Sequence, residues 1–509
     1  MLNSIKYEAL AVVVAILLAV WLVGGCKEAV APIQPVERHH HGPEEDVEEA
    51  RRKPPPPPEH VKPPPHPGMP PELFDVVDDL DEALKLSQSS DPHNVAKGIR
   101  SLGSFLVKGA PRQRHRVLAA LREMLLHANK PAVRTQAAQA LNRDFERTHS
   151  LLLQALNDED TDVLKTVLNI LSRHASKPAL VQRVRELLEH PDSRVSAEAA
   201  SALVGMYAHS KNIAGLVNLL GAEEHDLSAK AAIRLTVMGR EAVPELIHAL
   251  RTSPDAGQRH GAAMVLAMIC GGVSPKQQKF AELALAEKKS MFEKAPVLPD
   301  RRAVKPLIYA LRHDESAEVR EISAQGLGYL GDAQAAPALA EALTRDPSEA
   351  VRRRAAAALI TVPARKVRRE IEKAARSDKS AAVRRYAAEA LGWIGSPAVV
   401  PALIDITADE SPEVRQYAAV QLGKLAEEGK LSEQLHTQAL VALAKLFDDE
   451  DSDVRWAAVV SVGALRDRGA LSLLVKALDD PMPTVSHAAE RALQKMGIVQ
   501  RKAEEFEKQ

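Results

Sequence analysis

RDPSEAVRRRAAAALI, residues 345–360, contains an acidic turn, then a Val-Arg pair, then an alanine-rich apolar run. The same order of residues occurs in SDKSAAVRRYAAEALGWIG (377–395), DESPEVRQYAAVQLGKL (409–425) and DEDSDVRWAAVVSVGAL (449–465). Extending this register gives twelve anchor positions, mostly 30 to 32 residues apart, which are Val95, Val133, Val163, Val195, Leu227, Gln258, Val319, Val351, Val383, Val414, Val454 and Val485. A period of this length indicates a repeat architecture.

Each repeat is predicted to contain two short antiparallel helices. Residues that cap helices stand three positions before the anchor, namely Ser316, Ser348, Ser380, Ser411, Asp160, Asp192 and Asp451. From Val383, the residues Ala387, Leu391 and Ile394 form one apolar stripe of a helix. Glycines expected to end helices in the left-handed conformation follow twelve positions after the anchor, namely Gly239, Gly331, Gly395 and Gly497. Segments such as VPALIDI (400–406) predict the second helix.

A unit of two helices cannot cover its own apolar faces, but stacked units bury them in one continuous core. The pattern therefore predicts an all-α fold, an alpha-alpha superhelix of about twelve two-helix repeats. Aromatic residues make up only 3% of the chain, whereas hydrophobic residues make up 45%. The core must then consist mainly of Ala, Leu and Val, which suits closely packed helices.

The repeats resemble HEAT repeats, in particular the short bacterial form of the phycobilisome lyases. The resemblance covers roughly residues 73–498 and rests on an Asp-x-x-x-x-Val-Arg step. It implies a ladder of hydrogen bonds between units, formed by Asp314, Arg320, Asp346, Arg352, Asp378, Arg384, Asp409, Arg415, Asp449 and Arg455. The N-terminal half departs from the step, since Leu164 follows Val163 and Ser196 follows Val195, and its curvature is expected to differ.

Composition and motifs argue against catalysis. The 67 basic and 68 acidic residues nearly cancel, so no global field favours nucleic acid, and two cysteines cannot build a disulfide framework or a cysteine-rich zinc site. The sequence lacks His-Glu-x-x-His, Cys-x-x-Cys, a phosphate-binding glycine loop and a nucleophile elbow. None of its 18 histidines precedes Glu, unlike the iron ligands of deoxyhypusine hydroxylase, which the chain resembles in architecture. We predict a non-enzymatic protein without cofactor or metal; a bilin-lyase-like or other HEAT-type enzyme is the alternative.

The N-terminal segment predicts export. An apolar run, Ala9 to Val23, leads into Gly24, Gly25 and Cys26, which resembles the bacterial lipobox and implies lipidation of Cys26. The alternative is an uncleaved signal anchor. Residues 27–72 contain 14 prolines and read as an extended linker. These features predict a repeat domain held at a membrane of the cell envelope, outside the cytoplasm.

Exposed positions of the repeats suggest a protein partner. Tyr386 and Tyr417 both stand three residues after their anchors in adjacent units, so they are expected to lie side by side. With Arg354, Arg385 and Trp456 they form either a candidate partner-binding site or ordinary packing between units. Residues 352–385 hold twelve basic side chains against three acidic ones, which leaves nucleic acid or another polyanion as an alternative ligand. The favoured function is a membrane-tethered scaffold for an unidentified protein.

The register breaks twice. Between Gln258 and Val319 lie 61 residues, for which a decayed repeat unit is favoured over an insertion. The 40 residues from Val414 to Val454 predict a longer loop between helices. The resulting division of the chain is 1–26 targeting segment, 27–72 linker, 73–270 N-terminal repeats, 271–300 irregular segment, 301–498 C-terminal repeats and 499–509 charged tail.

Overall fold

A computed structural model describes residues 76–175, 177–223, 225–270 and 300–498. The described residues belong to two compact units, each of which contains several repeats. Unit 1 ends at Ala202, and unit 2 begins at Leu203. Their regular structure consists of α-helices and single 3-10 turns, without a strand in these ranges.

Several sequence predictions lie outside the described residues. These are the lipidation site Cys26 with its apolar run, the linker 27–72, the tail 499–509 and most of the irregular segment 271–300. They stay predictions.

The described helices alternate strictly between two kinds. Signature helices contain the anchor residues: α2 (Pro92–Lys108), α4 (Pro131–Leu141), α6 (Thr161–Leu171), α8 (Ser193–His209), α10 (His225–Met238), α12 (Ala256–Cys270), α14 (Ala317–Leu330), α16 (Glu349–Ala358), α18 (Ala381–Ile394), α20 (Pro412–Glu427), α22 (Ser452–Leu465) and α24 (Pro483–Lys495).

Companion helices precede them: α1 (Leu80–Ser87), α3 (Pro111–His127), α5 (Phe145–Ala155), α7 (Pro178–Glu186), α9 (Ile213–Asn218), α11 (Val243–Thr252), α13 (Val304–His313), α15 (Ala336–Arg345), α17 (Arg368–Ser377), α19 (Val400–Ile406), α21 (Glu433–Lys445) and α23 (Leu471–Ala477).

Successive helices of the same kind pack against each other within each unit. From α12 to α24, every signature helix contacts the next signature helix, and each companion helix from α13 to α21 contacts the next companion helix. The predicted stripe Val383, Ala387, Leu391 and Ile394 is buried between these two layers. The prediction of an all-α stack of about twelve two-helix repeats is therefore confirmed.

Helix ends follow the sequence at one terminus better than at the other. Gly331 and Gly395 end α14 and α18 with φ of 60° and 61°, as predicted. Capping by the serine side chains is wrong for Ser348, Ser380 and Ser411, which accept no hydrogen bond from the first turn. The ladder aspartates instead accept the backbone N–H of these serines, at 2.9 Å in each unit.

The two repeats that flank the first register break are in direct contact. Helix α12 packs directly on α14, and Arg259, the residue after anchor Gln258, pairs with Asp314 at 2.8 Å. The backbone N–H of Asp300 donates to the carbonyl of Cys270 at 3.1 Å. The repeats of Gln258 and Val319 are thus direct neighbours, and the decayed repeat predicted between them falls on residues 271–299, which lie outside the described residues, so it stays a prediction.

The second register break has another cause than the one predicted. Helix α20 has 16 residues and α21 has 13, compared with 14 in α18 and 7 in α19. The extra residues between Val414 and Val454 therefore lengthen helices rather than a loop.

Candidate functional site

Buried arginine-aspartate pairs join neighbouring repeats. In unit 2, each arginine that follows an anchor donates Nε and Nη2 to an aspartate of the next repeat, at 2.7 to 3.2 Å. The pairs are Arg259 with Asp314, Arg320 with Asp346, Arg352 with Asp378, Arg384 with Asp409, Arg415 with Asp449 and Arg455 with Asp480. In every pair but that of Arg259, the arginine Nη1 also donates to the backbone carbonyl of the ladder aspartate in its own repeat. This geometry commits most of each guanidinium's donors to the ladder and buries the group, so these arginines serve the joint between repeats.

The ladder reaches beyond the five steps quoted from the sequence. Arg134 forms the same bidentate pair with Asp158 in unit 1, at 2.7 and 2.9 Å. Asp158 stands five residues before anchor Val163, as Asp480 does before Val485. The register alone could have predicted these pairs, because the aspartate position recurs even where the following arginine is lost.

A column of glycines, which sequence reasoning missed, lets signature helices approach closely. Gly328, Gly423 and Gly463 each stand nine residues after an anchor. A Cβ atom on Gly423 would lie 2.6 Å from Ser461 Oγ, and one on Gly463 would lie 2.7 Å from Ala492 Cβ. These glycines serve packing between units, so the functional surface must be sought among the exposed positions.

Aromatic and cationic side chains share one side of α18, α20 and α22. They stand two, three or ten residues after an anchor, within an arc of about 100° on a helix and away from the buried stripe. We call this set the aromatic face: Arg385, Tyr386, Trp393, Tyr417, Lys424 and Trp456.

Two cations lie over aromatic rings on this face. The guanidinium of Arg385 lies 3.9 Å from the ring centroid of Tyr386 and 4.7 Å from that of Tyr417. Lys424 Nζ lies 3.7 Å from the ring centroid of Trp393. The tyrosines are half-buried, so the structure brings them together through Arg385, where the sequence predicted rings placed side by side.

Large apolar surface stays in solvent on the same face. Trp393 is 49% exposed, Trp456 36% and Val460 41%. Arg354 does not join them, because its Nη2 pairs with Glu321 at 3.2 Å. Of the five predicted partner-binding residues, the aromatic face therefore includes Arg385, Tyr386, Tyr417 and Trp456.

The basic excess of residues 352–385 is divided among several environments. Arg352 and Arg384 are buried in the ladder, and Arg385 lies on the aromatic face. Arg368 pairs with Glu372 and Arg376 with Asp405. Exposed cations without an ion pair in the described part of the chain are Arg365, Lys366, Arg369, Lys373 and Lys379. The excess is thus not one continuous patch.

Candidate reactive groups among the described residues include metal ligands and one cysteine. No three His, Cys, Asp or Glu side chains within these ranges are placed to hold a metal ion. Cys270 is buried, and desolvation raises the pKa of its thiol to about 12, so it is protonated at neutral pH. None of the described helices combines the length and apolar character needed to span a membrane.

Comparison with known proteins identifies the family. The family model described as HEAT repeats matches residues 150–236, 304–368, 368–433 and 406–494, together more than half of the chain. The chain belongs to the HEAT-repeat family. No curated protein matches this HEAT-repeat chain.

Solved structures of other helical-repeat proteins are similar to parts of this HEAT-repeat chain. The karyopherin Kap121p bound to the extreme C-terminus of the protein phosphatase Cdc14p is 14% identical, with a TM-score of 0.47 over 84% of this chain and 51% of Kap121p. Importin beta in an ammonium sulfate condition is 15% identical, with a TM-score of 0.40 over 82% of this chain and 57% of importin beta. The chain spans about half the length of these proteins.

Proposed function

We propose that this protein is a non-enzymatic scaffold that binds an extended segment of a partner protein on the aromatic face. The observation that carries the proposal is the exposure of Trp393 on α18 and Trp456 on α22, on either side of α20, together with two ring-bound cations on the same face. Interfaces concentrate their binding energy in Trp, Tyr and Arg side chains, and this face combines all three. The core does not need these rings, because Ala, Leu and Val fill it.

The face also fits an elongated ligand. It crosses three successive helices whose axes lie about 8 to 10 Å apart, so an occupant must extend over roughly 20 Å. A peptide of about six extended residues covers that distance. Arg385 and Lys424 offer charge to a polar peptide, while Trp456 and Val460 offer apolar contact.

Site-specific photo-crosslinking of the full chain tests the proposal. A crosslinking residue at position 456 should capture the same protein in repeated experiments, through one defined segment of that protein. Arg385→Ala and Trp393→Ala should each weaken capture about tenfold or more, the loss typical of an interface hot spot.

Tyr309 provides the matched control. It is an aromatic residue of companion helix α13, and it is 56% exposed. Within the described residues, its one ring contact is with His313 on the same helix. A crosslinker at position 309 should not capture the partner, and Tyr309→Ala should not weaken capture at position 456. Equal capture at both positions would reject the aromatic face as the binding surface.

We further propose that the scaffold is tethered to a membrane through Cys26. The support is the sequence Val23-Gly24-Gly25-Cys26 after an apolar run, which resembles a lipobox. Mass spectrometry of the mature N-terminus should find a diacylglyceryl-modified Cys26. In the Cys26→Ala variant the protein should leave the membrane fraction; retention there, with an intact N-terminus, would identify an uncleaved signal anchor instead.

A further inference from the structure

Four cations form a stripe on the companion-helix layer of unit 2. Arg365 and Lys366 lie in the 3-10 turn before α17, and Arg369 and Lys373 lie on α17. We call these four residues the cationic stripe. All four side chains are exposed, and none has an ion pair within the described ranges. Arg369 and Lys373 are four residues apart on α17, so they share one side of the helix, and Arg365 and Lys366 precede its first turn.

The stripe works against the stability of its own helix. Like charges four residues apart destabilise a helix by a few tenths of a kcal/mol per pair. Cations in a first turn also oppose the helix dipole, and α17 begins without a side-chain cap. Two other exposed arginines of the same layer are neutralised, Arg312 by Glu341 and Arg376 by Asp405. The charges of the stripe therefore do not stabilise α17.

Few carboxylates are available to the stripe from neighbouring elements. Glu341 on α15 and Asp405 on α19 already pair with arginines, and Glu372 pairs with Arg368. Glu370 is the one exposed carboxylate on α17 that has no ion pair in the described part of the chain. The local field is therefore positive and open to solvent.

We propose that the cationic stripe binds an acidic peptide segment of a partner protein. From the 3-10 turn at Arg365 to Lys373 on α17 the stripe extends on the order of 12 Å, which matches about four residues of extended peptide. Bidentate guanidinium-carboxylate pairs suit such a ligand. Single-stranded nucleic acid favours aromatic stacking platforms, and α17 contains no aromatic residue. This surface is separate from the aromatic face and does not depend on it.

Fluorescence anisotropy with the full chain tests the proposal, using a labelled octaglutamate peptide as probe. Arg365→Glu/Arg369→Glu/Lys373→Glu should weaken binding about tenfold or more, since three attractive contacts become repulsive. The neutral variant Arg365→Gln/Arg369→Gln/Lys373→Gln should also lose binding while its melting temperature stays equal or rises. A fall in both would mean that the stripe is structural and would overturn the proposal.

The control variant, Lys305→Glu/Arg491→Glu/Lys495→Glu, replaces three other exposed cations of unit 2 and changes the net charge by the same amount. Equal weakening in this control would show attraction by net charge alone and would overturn the proposal. Tighter binding of an oligothymidine of the same charge would assign the stripe to nucleic acid instead. Tighter binding of the probe after neutralising the chain's own acidic run, residues 44–49, would show that this run occupies the stripe and would overturn the assignment to a partner.

Discussion

Gly423 is the most constrained small residue between α20 and α22. A methyl group at this position would lie 2.6 Å from Ser461 Oγ and 2.8 Å from Ser461 Cα, which is closer than atoms can pack. Gly423→Ala should therefore lower the free energy of unfolding by about 1 to 3 kcal/mol, although Ala favours a helix over Gly. Urea unfolding followed by tryptophan fluorescence measures this change, since Trp393 and Trp456 lie nearby.

The control for Gly423 is Gly257→Ala on α12. Gly257 is exposed, and an added Cβ would meet its nearest atom at 3.4 Å. This variant should unfold at the same or a higher urea concentration. Equal destabilisation at both sites would contradict the role given to the glycine column.

Arg384 exemplifies a buried ladder pair. Its side chain is 6% exposed and that of Asp409 is 8% exposed. Arg384→Ala leaves a buried carboxylate without its main partner, so the free energy of unfolding should fall by about 3 to 5 kcal/mol. Arg376→Ala, which removes an exposed pair with Asp405, should cost about 0 to 1 kcal/mol in the same measurement. Similar costs for both variants would contradict the contrast.

Asp480 makes the ladder sensitive to acid. Hydrogen bonds from Arg455 hold the pKa of Asp480 below its ordinary value. A carboxyl group with a lowered folded-state pKa stabilises the fold above its unfolded pKa of about 3.9 and loses this contribution as the pH falls through the folded value. Asp480→Asn should therefore melt below the native protein at pH 7, and the difference should shrink below about pH 4. A difference that stays constant with pH would contradict this assignment.

The structural role of a residue could be predicted from the sequence where a repeat position has a single role. The resemblance to HEAT repeats, carried by the Val-Arg step, implied the ladder arginines, and the structure pairs each of them with an aspartate of the next repeat. The glycine column escaped notice because glycine also ends helices, and only the distance between Gly463 and Ala492 shows its packing task. Arg354 was predicted to belong to the partner-binding surface, whereas its ion pair with Glu321 on the adjacent signature helix holds it elsewhere.

The end of α22 differs from the ends of other signature helices. Gly331 and Gly395 occupy the left-handed position after α14 and α18, but Arg466 occupies it after α22, with φ of 52°. A side chain in this conformation costs about 1 kcal/mol. Arg466→Gly should therefore raise the melting temperature, and Gly395→Ala should lower it, in calorimetry of the full chain. A lower melting temperature for Arg466→Gly would show that its side chain contributes more than the strain costs.

At the scale of helices, the sequence predicts existence and order better than length. The anchors marked all twelve signature helices because apolar spacing is a strong helical signal. Apolar spacing could not show whether the extra residues after Val414 belong to a helix or to a loop, because a polar stretch such as EEGKLSEQLHTQ is compatible with both. In the structure α20 continues to Glu427 and α21 begins at Glu433.

A stack of repeats is stabilised by contacts between neighbouring repeats. Deleting a segment of the chain can therefore test which repeats of unit 2 are neighbours. Spacing along the sequence suggested a unit between Gln258 and Val319, but spacing counts residues and not contacts. The pair Arg259–Asp314 and the hydrogen bond from Asp300 to Cys270 show that the flanking units already meet. Cooperative unfolding in such arrays requires intact interfaces and not a continuous count of residues.

Replacing residues 271–299 with Gly-Ser-Gly-Ser should therefore preserve the helical circular dichroism signal per residue and cooperative unfolding. The shorter connection has less closure entropy to lose, so the free energy of unfolding should stay equal or rise by about 1 kcal/mol. The control replaces the equally long stretch 349–377 with the same linker, which removes α16 and α17 with the ladder pair of Arg352 and Asp378. That variant should lose cooperative unfolding in calorimetry. If the first deletion were as damaging as the second, α12 and α14 would not form an independent interface, and the stack would need residues 271–299 to join them.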